Sequence, residues 1–218
     1  MNNILVLTPR NMNCLTFIKT FAFIVFASSV TLGYVHKKPP GAELIKTKNG
    51  ISLYERWVNL PDKKVNAREV ILTLKVDASP NEVVQLISNA NLTAKWNTSI
   101  RSAKMLEQDT DCWIKYVRYN IPWPFNDQDC ILEHRIVRQT PSTILIEYSS
   151  IAYPSKPPVR RVDRIDYVKG QWEIRREGRQ THITYSVLST PSNVPRWITD
   201  PFVRDAFISS MTNLKNML

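Results

Sequence analysis

The sequence predicts one α+β domain, a strongly curved antiparallel sheet beside a long C-terminal helix. Three observations predict it. Trp113 to Arg135 reads as strand, turn, strand, with Pro122, Pro124, Asn126 and Asp127 in the turn. Segments of alternating polarity flank this hairpin, broken by an early helix signature at Ser79-Pro80-Asn81-Glu82. The chain closes on apolar residues at helical spacing, with no charge between Asp205 and Lys215. Such a sheet and helix either pack solidly or enclose a hollow.

Composition bounds the reading. At 218 residues, 43% hydrophobic and 22% charged, the chain suits one substantial globular domain. Its 5 glycines argue against a glycine-rich nucleotide loop. A formal net charge of +10 favours contact with anionic surfaces, or else marks a solvated basic surface. Cys14 lies in an N-terminal apolar segment, while Cys112 and Cys130 open the two hairpin arms. Antiparallel arms put the latter two roughly 30 Å apart at about 3.3 Å per residue. A disulfide needs Cα atoms within about 7 Å, so none is expected.

In chain order, residues 1–35 read as a signal peptide or a membrane anchor. Arg10 and Lys19 precede Thr20 to Val35, which carries no charge. That run is short of the about 20 apolar residues of a comfortable span. Residues 36–41, with Pro39 and Pro40, read as a linker, and 42–218 as the folded domain. Ala42 to Lys48 predicts a short helix stopped by Asn49-Gly50. Ile51 to Val58 and Val65 to Val76 alternate as strands, with Val70, Leu72 and Leu74 on one face. Ser79 reads as an N-cap, Pro80 fits the first helical position and Glu82 completes a capping box, and Val83, Leu86, Ile87 and Ala90 give the helix an apolar stripe. Asn89 to Asn97 reads as a helical turn carrying Trp96. Ile100 to Leu106 and Thr143 to Ser150 are strands, and the prolines of Tyr153 to Pro158 require a loop. Val159 to Val168 and Gln171 to Arg176 predict a hairpin about Lys169-Gly170, and Ile183 to Leu188 a last strand. Asp200-Pro201 predicts the start of the final helix, with Val203, Phe207, Met211, Leu214 and Leu218 on one face.

In order and spacing, several motifs resemble a START domain, the lipid-transfer family named after the steroidogenic acute regulatory protein, in its bacterial single-domain form. They are Asn49-Gly50-Ile51, Ala78-Ser79-Pro80, Trp96-Asn97, Tyr116, Pro122-Trp123-Pro124, Asp127-Gln128-Asp129, Val159-Arg160, Trp172, Val194-Pro195-Arg196-Trp197 and Asn213-Leu214-Lys215. Two departures stand out: Gln128 where the family usually has arginine, and Ser192-Asn193 where it commonly has glycine. The resemblance implies a helix-grip fold, in which a curved sheet wraps the C-terminal helix and encloses a hydrophobic cavity. It also implies binding of a lipid or sterol-like molecule without chemistry on it.

Such a cavity should be mostly apolar, with a few polar groups to orient the ligand. Candidate lining residues are Trp96, Ile114, Tyr116, Arg118, Cys130, Leu132, His134, Phe207 and Met211. A buried Arg118 would need an anionic ligand group or a carboxylate such as Glu147; alternatively it lies on the outer face. An enzyme such as a cyclase or hydrolase on the same architecture is the competing reading. It would need His134 with Tyr116 or Asp129 as its acid–base pair. His36, His134 and His182 are too scattered for a metal site, and no cofactor is expected. The tryptophans are not interleaved with lysines as in single-strand nucleic-acid binders, so nucleic acid is not expected. Arg160-Arg161-Arg164 and Arg175-Arg176-Arg179 either pair with nearby acids or form a docking patch for an anionic membrane surface. The expectation is an exported or anchored monomer that binds and carries a lipid.

Overall fold

A computed structural model describes residues 38–190 and 196–218. Its strands are β1 (Glu43–Lys48), β2 (Ile51–Leu60), β3 (Val65–Val76), β4 (Ile100–Gln108), β5 (Cys112–Tyr119), β6 (Asp127–Gln139), β7 (Thr143–Ser150), β8 (Val162–Arg164), β9 (Val168–Glu177) and β10 (Gln180–Ser189). They form one unclosed sheet in the order β1-β2-β3-β10-β9-β7-β6-β5-β4, with β8 branching off β6. Every pairing along that path is antiparallel; β8 runs parallel to β6. The helices are α1 (Pro80–Ser88), α2 (Ala90–Trp96) and α3 (Arg196–Asn216). α2 packs on β4, α3 packs on β2 and β3, and the two helices meet each other. The helical layer therefore reaches both ends of the strand order from one face, which makes that face the concave side of a grip.

Local chemistry explains most of these elements. The capping box at α1 is complete: Ser79 Oγ accepts from the Glu82 amide and the Glu82 carboxylate accepts from the Ser79 amide. Val70, Leu72 and Leu74 all enter the main core, as their alternation predicts. Along α3, Ile208, Ser210, Met211 and Leu214 are buried, which accounts for the missing charge between Asp205 and Lys215.

Three expectations are corrected. Residues 43–48 are strand β1, not a helix, because Asn49 (φ 55°) and Gly50 (φ 74°) form a two-residue hairpin turn into β2. Asn-Gly supplies the two left-handed residues a tight hairpin requires as readily as it stops a helix. Lys169-Gly170 is no turn, since it lies inside β9 and pairs with Val187 and Leu188 of β10. The stretch before it contributes only the three residues of β8. The last helix begins at Arg196, and Pro201 sits within it. Pro201 cannot donate an amide proton to the helix, and ion pairs flank it on either side. Asp200 accepts from Arg68 at 2.7 Å, and Arg204 grips Glu55 at 2.8 Å through both Nε and Nη2.

Cys130 is a free, buried thiol lying opposite Val117, whereas Cys112 lies opposite Arg135, so the two are not joined to each other. The proposed leader (1–35) and the Ser192-Asn193 departure lie outside the described residues. No described helix is long and apolar enough to cross a membrane.

The convex side carries its own small cluster of Ile114, Tyr116 and Ile131, joined by Leu106, Ile151 and Tyr153. The proline-bearing loop after β7 lies over it, with Lys156 Nζ 4.7 Å from the Tyr116 ring and Tyr153 Oη donating to Glu107 at 2.6 Å. Arg164 fastens the far end of this loop, donating to the fully buried Asp129 at 2.5 and 3.3 Å. Asp129→Asn should remove the charge while keeping one acceptor, at a cost of about 2 kcal/mol. Chemical denaturation checks this; an unchanged midpoint would show that the pair does not hold the loop.

Candidate functional site

The register settles which side chains face the helices. Val117 pairs with Cys130, Lys115 with Leu132 and Trp113 with His134. Successive strand residues point to opposite faces, so these six side chains share the concave side and join the main core region. Ile114, Tyr116 and Arg118 point the other way. Ile114 and Tyr116 belong to the convex cluster. Arg118 donates to Asp127 at 2.8 Å, not to Glu147, and its side chain is 34% exposed. Of the candidate residues, Trp96, Cys130, Leu132, His134, Phe207 and Met211 lie in the main core or against it. The other three do not share that face. The same division separates His134 from Tyr116 and Asp129, leaving the suggested acid–base pair on opposite sides of the sheet.

A ladder of rings crosses the concave face. Trp113 on β5 stacks on His134 of β6 (centroids 5.1 Å apart, 10° between planes), and His134 on Tyr148 of β7 (5.2 Å). Tyr148 faces Tyr185 of β10 at 6.1 Å; Tyr185 contacts Trp172 of β9 at 4.3 Å and Phe207 of α3 at 6.4 Å. Trp96 of α2 meets Trp172 edge-on at 6.0 Å. The strand row runs Trp113, His134, Tyr148, Gly170. Gly170 lets the Tyr148 ring lie flat across β9, so that its hydroxyl donates to the Ser186 carbonyl at 2.9 Å and lies 3.0 Å from Tyr185 Oη. Glycine within a strand often marks such a close approach.

Polar atoms inside this apolar face fall into two groups. Some are satisfied: Cys130 Sγ reaches Tyr119 Oη at 3.8 Å, and Lys115 Nζ donates to the Ile87 carbonyl at 2.7 Å and lies 3.5 Å from Thr93 Oγ1. Trp96 Nε1, Trp113 Nε1 and His134 Nδ1 are buried with no partner among the described residues. An unsatisfied buried polar atom costs about 1–3 kcal/mol. Every titratable group here is driven toward its neutral form, with desolvation the main cause. The Lys115 ammonium falls to about 7, and the His134 imidazole drops well below its ordinary range. The Cys130 thiol and the Tyr185 phenol rise to about 12, and those of Tyr119 and Tyr148 rise as well. Charge is kept to one rim, where Glu55, Arg68, Asp200 and Arg204 form a lattice between β2, β3 and α3.

Sequence reasoning missed Trp113, Lys115, Tyr148, Tyr185 and Gly170. The signal for the first two was present: the period that groups Ile114 with Tyr116 places Trp113 and Lys115 together on the other face. Residue type misdirected the choice, because a lysine is almost never fully buried. Among the described residues no cluster could hold a metal ion. A surface recess of about 350 Å³ opens at the opposite end, lined by Pro80, Asn81, Gln139, Thr140, Pro141 and Ile144.

Comparison with solved structures defines the class: this is a helix-grip domain with a START-like fold. The chain is similar to a STAR-related lipid transfer protein fragment from Xanthomonas axonopodis, with 22% identity and a TM-score of 0.70 over 81% of this chain and 98% of that one. It is similar to human StAR-related lipid transfer protein 5 (14% identity, TM-score 0.69, 83% and 87% covered). A looser likeness extends to the Zhui aromatase/cyclase from Streptomyces (11%, TM-score 0.52, 69% and 93% covered). No protein-family model and no curated protein matches the chain.

Proposed function

We propose that the domain binds one hydrophobic small molecule, a lipid or sterol-like compound, between the concave face and α3, and carries it without chemical change. The observation that carries this reading is the set of unpartnered Trp96, Trp113 and His134 nitrogens on an otherwise apolar aromatic face. A ligand oxygen would relieve the cost of burying the two indole N–H groups, and apolar burial would supply the bulk of the affinity at about 25 cal/mol per Å². The neutral imidazole favoured at His134 and the depressed Lys115 ammonium point to an uncharged polar group on the ligand. The solved lipid-transfer structures similar to this chain support the same reading. The cyclase-type alternative retains only the looser structural likeness, since its suggested pair is divided by the sheet. Residues 1–35 would export or anchor a monomeric domain, placing the carrier at or beyond a membrane.

Native mass spectrometry of the purified chain, followed by solvent extraction, tests the reading. A bound neutral lipid is expected. Trp113→Phe keeps a ring in the stack but removes one donor, and should lower occupancy by roughly fivefold, the equivalent of one neutral hydrogen bond. An empty protein in every preparation and lipid condition would end the lipid-carrier reading.

A further inference from the structure

The ladder registers bring one set of loops to the same end of the sheet. Tyr119 closes β5 opposite Gln128, and Asp127 opens β6 beside Val162 of β8. The loop of residues 120–126 and the residues just before β8 therefore lie side by side, tied by Asn126 Nδ2 donating to Asp163 at 3.3 Å. This end carries the most exposed large apolar side chain of the described residues, Trp123 at 91%, together with Phe125 at 38% and Val159 at 41%. Arg160 and Arg161 stand exposed next to them, with no ion pair among the described residues.

The other basic residues behave differently. Arg164 is tied to Asp129, and Arg175 is shared by Glu173 and Glu177. Arg176 donates to the carbonyls of Gly178 and Ala78. The Arg175–Arg179 group also lies at the opposite end, beside the β9–β10 turn. The two arginine runs, so alike in sequence, are thus a free pair beside a tryptophan and a largely paired group remote from it.

We propose that residues 122–125, Val159, Arg160 and Arg161 form a docking surface for an anionic phospholipid bilayer. An indole at the headgroup level gains apolar burial while its N–H stays hydrated, and basic side chains beside it attract anionic headgroups. The loop is held in shape from below: Asp127 binds Arg118 and Arg101, and Arg101 also donates to Asn120 at 2.6 Å. Trp123 can therefore enter the interface without first being ordered, which limits the entropic cost of docking. The overall charge of +10 adds long-range attraction toward the same surface.

The test is co-sedimentation of the full chain with vesicles of phosphatidylcholine alone, or of equimolar phosphatidylcholine and phosphatidylglycerol, with no carrier ligand added. A failure of the lipid-carrier reading leaves its outcome untouched. The wild type should partition to the anionic vesicles more strongly, and more weakly as salt rises. Arg160→Glu should weaken that partition roughly tenfold or more, from about 1 kcal/mol per basic residue at an anionic surface and the reversal of sign. Arg179→Glu, the same charge change at the other end, should leave it within about twofold. Trp123→Ala should weaken it roughly tenfold on apolar area alone. Equal losses for Arg160→Glu and Arg179→Glu would reduce the effect to net charge and overturn the docking surface. An unchanged Trp123→Ala, or equal partition of the wild type to both vesicles, would do the same. Both end residues are exposed, so thermal melts matching the wild type are expected.

Discussion

Gly170→Ala should destabilise the domain by at least about 3 kcal/mol, the upper range for forcing atoms into a packed core. A Cβ built at Gly170 would lie 2.1 Å from the Ser186 carbonyl oxygen and 2.3 Å from Tyr148 Oη. The first neighbour is backbone, so it cannot turn aside without opening the β9–β10 ladder. The second is a ring held by two hydrogen-bonding contacts, to Ser186 and Tyr185, and by stacking on His134. Tyr148 would have to leave its place, breaking the ladder between His134 and Tyr185. A melting temperature lower by roughly 6–12 °C is expected, at about 2–4 °C per kcal/mol for a domain of this size. Loss of near-ultraviolet dichroism from the stacked rings should accompany it. Gly178→Ala provides the contrast. Gly178 has φ of 62° but nothing within 4 Å of the added carbon, so only the conformational cost of about 1 kcal/mol applies. Equal effects at the two glycines would show that the close packing of Tyr148 on β9 is not what Gly170 provides.

Gly170 also shows where sequence reading succeeds and where it fails. Alternation located β3, β5 and β7 almost to the residue, because one face of each is apolar and a one-residue slip would expose it. The Ser79 capping box was legible because it is satisfied within four residues. Lys169-Gly170 and Asn49-Gly50 look alike locally, yet one is strand interior and the other a hairpin turn. Tyr148, 22 positions away, decides the first; no local rule contains that contact. Asp200-Pro201 failed for a related reason, since Arg68 and Arg204 hold Asp200 inside a helix that begins earlier. The candidate site was legible by half. Periodicity divided β5 and β6 into faces correctly, but which face of β5 meets the helices is fixed by pairing across the whole sheet. Hence Cys130, Leu132 and His134 lie on the concave side while Ile114, Tyr116 and Arg118 do not.

Lys115→Met should alter how stability depends on pH. In the unfolded chain the amine titrates near its ordinary value of 10.5, and in the folded protein near 7. Desolvation causes the depression, since no carboxylate reaches Nζ and its contacts are the Ile87 carbonyl and Thr93 Oγ1. Between those two pH values the unfolded chain holds the extra proton, so wild-type stability rises with pH from about 7 to 10.5. Below 7 both states are protonated, and the full cost of burying the ammonium is present. At about 1.4 kcal/mol per pH unit the rise amounts to several kcal/mol, large against a typical total of 5–15. Methionine has a similar length, no charge to bury and a flexible chain for the same space. It gives up the bond to Ile87 at the C-terminal end of α1, worth about 1 kcal/mol. The variant should therefore be more stable than wild type at pH 6 and less stable at pH 10, with the curves crossing between. Urea midpoints across that range test this directly. Parallel curves for the two proteins would mean that Lys115 reaches water in solution, and with it the dry character assigned to the concave face would fail.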